Sequence, residues 1–149
     1  MAVNNIIKRI QNIMRQDAGI NGDAQRIEQM TWMFFLKVYD TQEETWEYKD
    51  ENYKSIIPED LRWRKWAVDE KDGEALTGEA LLSFVNEKLF PTLKNLPIDA
   101  NTPRAKSIVL ETFADLNQYM KNGTLLRQVV NIVSEVEFDD ADDRHTFGD

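Results

Sequence analysis

Between Ile27 and Tyr39 the chain sets apolar residues on every side of a helix. Ile27, Met30, Phe34 and Val38 form one stripe, and Trp32, Met33, Phe35, Leu36 and Tyr39 fill the remaining directions. A helix with so little polar face belongs at the centre of a protein, with other elements packed around it. Asp23 is expected to cap it. Upstream, Ile6, Ile7, Ile10, Ile13 and Met14 recur at helical spacing opposite Lys8, Arg9, Gln11 and Asn12, which predicts an amphipathic helix that stops before Gly19 and Gly22.

Trp46 to Gly78 has no clean period and contains Pro58 and Gly73, so it reads as a long irregular excursion with short helices or a small hairpin. Thr77 is placed to cap a third helix carrying Leu81, Leu82, Val85 and Leu89, which Pro91 must end or kink. Thr102-Pro103 opens a fourth, with Ile108, Val109, Thr112, Phe113 and Leu116 inward and Asn122-Gly123 as its close. Leu126, Val129, Val130 and Val133 mark a last helix from Leu125 to about Val136. The expected fold is all-α, a bundle of about five helices over residues 1–138, with 139–149 as an acidic junction.

The 149 residues carry a net charge of −9, which argues against nucleic acid until the distribution is considered. Met1 to Val38 has five basic and three acidic residues, and Leu76 to Val133 has six and five. The acidic excess lies in Tyr39 to Ala75, with twelve acidic against six basic, and in Ser134 to Asp149, with seven against one. Phosphate contacts therefore have two local candidates: Lys8, Arg9 and Arg15, and Arg62, Arg64 and Lys65. Cysteine is absent, which removes disulfides and thiolate metal sites. The apolar run Met30 to Leu36 is far shorter than the ~20 residues that span a bilayer, and the N-terminus lacks a signal-peptide core, so the expected location is the cytoplasm, away from membranes.

Catalytic patterns are sparse. His145 is the single histidine and lies in the acidic tail, without neighbouring ligands for zinc or partners for a triad. Asp139, Asp140, Asp142 and Asp143 resemble a calcium loop, but Arg144 stands where that loop needs glycine. Arg62-Trp63-Arg64-Lys65-Trp66 mixes cations with aromatics as a nucleic-acid groove does. The competing reading has both tryptophans anchoring the excursion to the bundle while their basic neighbours face water. We favour it because tryptophan is highly buried on average.

Arg15, Asp17-Ala18-Gly19-Ile20, Ile27-Glu28-Gln29, Trp32, Phe35-Leu36-Lys37 and Asp40 together resemble the opening of modification subunits of type I restriction-modification systems. The resemblance continues in order through Leu61-Arg62-Trp63, Trp66-Ala67, Thr77-Gly78, Phe84-Val85-Asn86, Leu89-Phe90-Pro91, Leu93-Lys94 and Thr102-Pro103-Arg104. It ends at Asp143-Arg144-His145 and Phe147-Gly148-Asp149, which are similar to the junction into a catalytic domain. It implies the helical N-terminal domain of a DNA adenine-N6 methyltransferase subunit that uses S-adenosylmethionine. It further implies assembly with a specificity subunit and a second modification subunit, to which a restriction subunit can be added, closed around double-stranded DNA. The adenine-holding Asn-Pro-Pro-aromatic motif and a Gly-rich cofactor loop are not in this sequence, so no catalytic, cofactor or metal residue is assigned and the piece alone is expected to be inactive. On residue chemistry by itself, a free-standing acidic helical interaction module is favoured, since the residues alone show only an acidic bundle. An acidic mimic of DNA fits less, because its carboxylates would spread along one face rather than gather in two blocks.

Overall fold

The structure, a computed structural model, describes residues 3–68 and 75–137. Gly73 and the 139–149 junction, with its aspartates and His145, lie outside the described residues. The helices are α1 (Val3–Met14), α2 (Asp23–Lys49), α3 (Trp63–Trp66), α4 (Gly78–Phe84), α5 (Phe90–Lys94), α6 (Arg104–Ala114) and α7 (Gly123–Glu135). A 3-10 turn at Glu59–Leu61 precedes α3, and a π turn at Val85–Leu89 joins α4 to α5. With α4, the π turn and α5 taken as one bent run and the single turn α3 set aside, five helices make the bundle, and no strand occurs among the described residues.

The core forms around α2. Trp32, Met33 and Leu36 are fully buried, and Trp32 stacks on Trp66 at 6.4 Å while meeting the edge of Phe90 at 5.1 Å. Phe113 of α6 closes the cluster against Phe90 and Phe35, with ring centroids 5.2 and 6.0 Å apart. The apolar stripe of α1 meets α7, which also packs on α2 and α4. The α4–α7 crossing is close enough that a Cβ on Gly123 would lie 1.9 Å from the carbonyl oxygen of Gly78.

Several local expectations change. Asp23 is the first residue of α2 rather than its cap; Gly22 holds that place at φ +87°, open to glycine at little cost, and the Asp23 carboxylate pairs with Arg26. The same helix runs to Lys49, past Trp46 where the excursion was expected to begin, and that excursion holds short helical turns rather than a hairpin. Pro91 neither ends nor breaks its helix. The π turn lies just before it, with the Phe90 N–H bonded to the Val85 carbonyl, and Pro91 falls in the first turn of α5, where its missing donor is tolerated. The fourth helix stops at Ala114, well before Asn122-Gly123, and Asn122 instead caps α7 by accepting the Leu125 N–H at 2.9 Å. The Thr102 hydroxyl oxygen accepts the Asp99 N–H, leaving Pro103 at the cap position.

Leu116–Met120, between α6 and α7, has no helical bonds of its own, and side chains of α2 and of the connection before that helix hold it and the residues that follow. Asp17, almost fully buried, accepts the N–H groups of Gly19, Lys121 and Asn122 at 2.7 to 2.9 Å. Glu28 accepts from Asn117 N–H, and Gln29 accepts from Tyr119 N–H while donating to Gln118. Arg127, on α7, donates to the carbonyls of Trp66, Ala67 and Leu76 at 2.7 to 3.2 Å, tying the excursion down at both sides of the residues it encloses. Asp17→Ala therefore strands buried donors and is expected to cost about 3 kcal/mol, with each unpaired group worth roughly 1–3 kcal/mol. Urea unfolding checks this beside exposed Ala18→Ser, for which the change should stay within about 0.5 kcal/mol.

Candidate functional site

The candidate cations fall into two environments. Trp63 and Trp66 are buried, as expected for anchors, and the Trp66 indole N–H reaches the Leu61 carbonyl at 2.9 Å. Their basic neighbours do not simply face water. Arg62 is only 5 % exposed and its guanidinium sits among Glu43, Glu47 and Glu59 at 3.5, 2.9 and 3.1 Å. Arg64 spans Asp40 and Glu47 at 2.9 and 2.8 Å and also donates to the Asp40 carbonyl. Lys65 is exposed and lies 3.6 Å from Glu59.

This network is the reason part of the acidic excess of Tyr39–Ala75 can sit on a core helix. Glu43 is fully buried, and besides Arg62 it accepts the Tyr53 hydroxyl at 2.6 Å. Burial and that bond to a carboxylate push the Tyr53 hydroxyl above the usual phenol range. Burial works against the charge of Glu47, yet hydrogen bonds from Arg64 and Arg62 prevail and hold its carboxyl below the ordinary value. Burial likewise works against the charge of Arg62, yet hydrogen bonds to Glu47 and Glu59 and the charge of Glu43 prevail and hold its guanidinium above the ordinary value.

The other group is on α1. Lys8, Arg9 and Arg15 are exposed, and no carboxylate lies within ion-pair distance of them among the described residues. Arg15 donates only to Asn12, one turn back. A groove of about 560 Å³ opens along α2, walled by Ile7 of α1 and by Ala105 and Ile108 of α6. Its floor is the stripe Met30, Phe34 and Val38, and Ile27 at its end is 58 % exposed. The all-round apolar helix is therefore central but not wholly enclosed. Sequence reasoning missed this groove, although the signal was present: α2 has more apolar faces than its neighbours can cover. Among the described residues no group of three or more His, Cys, Asp or Glu is arranged to hold a metal.

Arg62→Ala is expected to destabilise the fold by about 3–5 kcal/mol, because it leaves Glu43 buried without its cation. Trp63→Ala should cost a similar ~3–5 kcal/mol through lost packing. Thermal melts of the pair, read beside exposed Lys65→Ala as an unaffected control, check both.

Known proteins agree with this geometry. The chain is 52 % identical, over its full length, to the type I restriction enzyme EcoEI methylase subunit of Escherichia coli, of which it covers 30 %. Its fold superposes with a TM-score of 0.80 and 30 % identity on a crystal structure described as a type I modification subunit from Vibrio vulnificus YJ016, over 97 % of this chain and 32 % of that one. A chain from a structure of the assembling type I R-M system gives 0.76 and 34 %, over 95 % and 27 % respectively. The chain thus spans about a third of the length of these relatives. A family model matches residues 3–133, and the chain belongs to the HsdM N-terminal domain family of type I modification subunits.

Proposed function

We propose that this chain is the non-catalytic N-terminal module of a cytoplasmic type I DNA methyltransferase subunit. In that role it helps the subunit assemble with the specificity subunit and a second modification subunit, and closes the complex around double-stranded DNA. The chemistry, methyl transfer from S-adenosylmethionine to adenine N6, belongs to the remainder of such a subunit. The observation that carries an assembly role is the open groove on α2. An apolar trough ending at exposed Ile27 is what a surface that meets another subunit requires, and it fits the apolar face of a helix. The 52 % identity to a methylase subunit and the likeness to a chain of an assembling R-M complex support the same reading.

Ile27→Glu tests it. The side chain is exposed, so the melting temperature of the chain should hardly move, with a stability change within about 0.5 kcal/mol. Binding to the specificity subunit, followed by size exclusion and titration, is expected to weaken about tenfold or more, in line with the ~1 kcal/mol and above that interface anchors contribute. Unchanged assembly would remove the groove from the interface. By calorimetry the isolated chain should bind no S-adenosylmethionine, and micromolar stoichiometric binding would overturn the assignment of the chemistry to the remainder of the subunit.

A further inference from the structure

The cations of this acidic protein are sorted. Arg62 and Arg64 are consumed by the α2 carboxylates, Lys88 by Asp60, Arg104 by Glu111 and Arg26 by Asp23. Arg127 and Lys106 are turned onto backbone carbonyls. Lys37, Lys49 and Lys54 also show no ion pair among the described residues, but helix α1 differs in gathering several such cations with no acidic residue among them. From Met1 to Gln16 the sequence has no acidic residue, in a chain of net charge −9. At about 100° per residue, Asn5, Lys8, Asn12 and Arg15 share an arc of about 80°, and Arg9 widens it to about 120°. All are exposed. Lys121, also exposed, lies beyond the C-terminal end of α1, where Asp17 binds its N–H.

We propose that this face of α1 lies along the phosphate backbone of duplex DNA, and that the Arg62–Arg64 cluster does not. The inference rests on the reading that the domain closes the complex around DNA and names the surface that does so. Lysine and arginine neutralise phosphates, and asparagine amides donate to phosphate oxygens without reading bases. Lys8 and Arg15 are separated by about 10 Å along the helix axis, so they meet different phosphates of a duplex that carries a charge every ~1.7 Å. Arg62 is unsuited to the task, since reaching a phosphate would strand Glu43 in the core.

The test uses the methyltransferase assembled with its specificity subunit and the triple variant Lys8→Gln, Arg9→Gln, Arg15→Gln. Losing three contacts should lower the slope of log affinity against log salt by about 2.7, at about 0.9 per phosphate, and weaken binding on the order of 10²-fold near 0.1 M salt. The loss should be equal on duplexes with and without the recognition site, because phosphate contacts position and do not specify. A charge-preserving Lys8→Arg, Arg9→Lys variant should bind as the parent. If the triple variant does not assemble, Lys8→Gln and Arg9→Gln taken singly should each lower the slope by about 0.9. An unchanged slope overturns the proposal, as does a loss confined to single-stranded RNA of the same length. Removing residues 1–137 separates the two claims: if the shortened complex assembles and binds duplex DNA as well as the parent, the closure reading itself fails. If it loses DNA while the triple variant keeps it, only the α1 surface is wrong.

Discussion

Every buried backbone N–H and C=O must find a partner, and in this chain the non-helical segments set the terms on which the helices pack. Helices satisfy themselves. The Leu116–Asn122 connection and, in the excursion, the carbonyls of Trp66, Ala67 and Leu76 do not, and each is held by side chains from distant parts of the sequence. Asp17, Glu28 and Gln29 serve the first, and Arg127 serves the second. These bonds cross about 90 to 105 residues in the first case and 50 to 60 in the second, so they fix which helix lies beside which. Apolar burial supplies the driving force, but it is non-directional and would accept several arrangements.

This explains why a family signature free of catalytic residues is still specific. Asp17 and Gly19 receive the Tyr119–Asn122 strip, with Gly19 so close that a Cβ would lie 2.1 Å from the Tyr119 oxygen. Glu28, Gln29 and Asn86 hold Asn117–Tyr119, Asp40 holds Arg64, and the Thr77-Gly78 turn leaves room for Gly123. The matching residues are clasps between segments. A chain can lose every active-site group and keep them, because they serve the fold.

The all-α class, the core stripes of α1 and α7 and the burial of both tryptophans were legible from periodicity and residue type. The end of the fourth helix was not, because Asn122-Gly123 punctuates equally well as a close or as an opening. Which helix it belongs to depends on Asp17 accepting the Asn122 N–H from 105 positions away. The environment of Arg62 was also hidden. The pairing of Arg62 with Glu43 and Glu47 runs between α2 and the excursion, not along either one, so neither stretch of local sequence displays it. The exposure of Lys8, Arg9 and Arg15 was more legible, since an exposed helix face is written in local sequence alone.

The π turn at Val85–Leu89 has a consequence for phase. Leu81, Leu82 and Val85 define an inward arc on α4, and a regular helix continued from them would carry Phe90 about 180° from Leu81, at the edge away from the core. One extra residue in the turn winds the helix back by about 100°, which returns Phe90 to the arc where Trp32 and Phe113 wait at 5.1 and 5.2 Å. Chain length between Phe84 and Phe90 is therefore an angular setting. Adding a single residue there, with the turn unchanged, would leave the helical content almost intact, yet aim the aromatic ring on which three helices converge out of the molecule. Removing one would instead let the turn relax into regular helix and keep that ring within the arc, about 80° from Leu81.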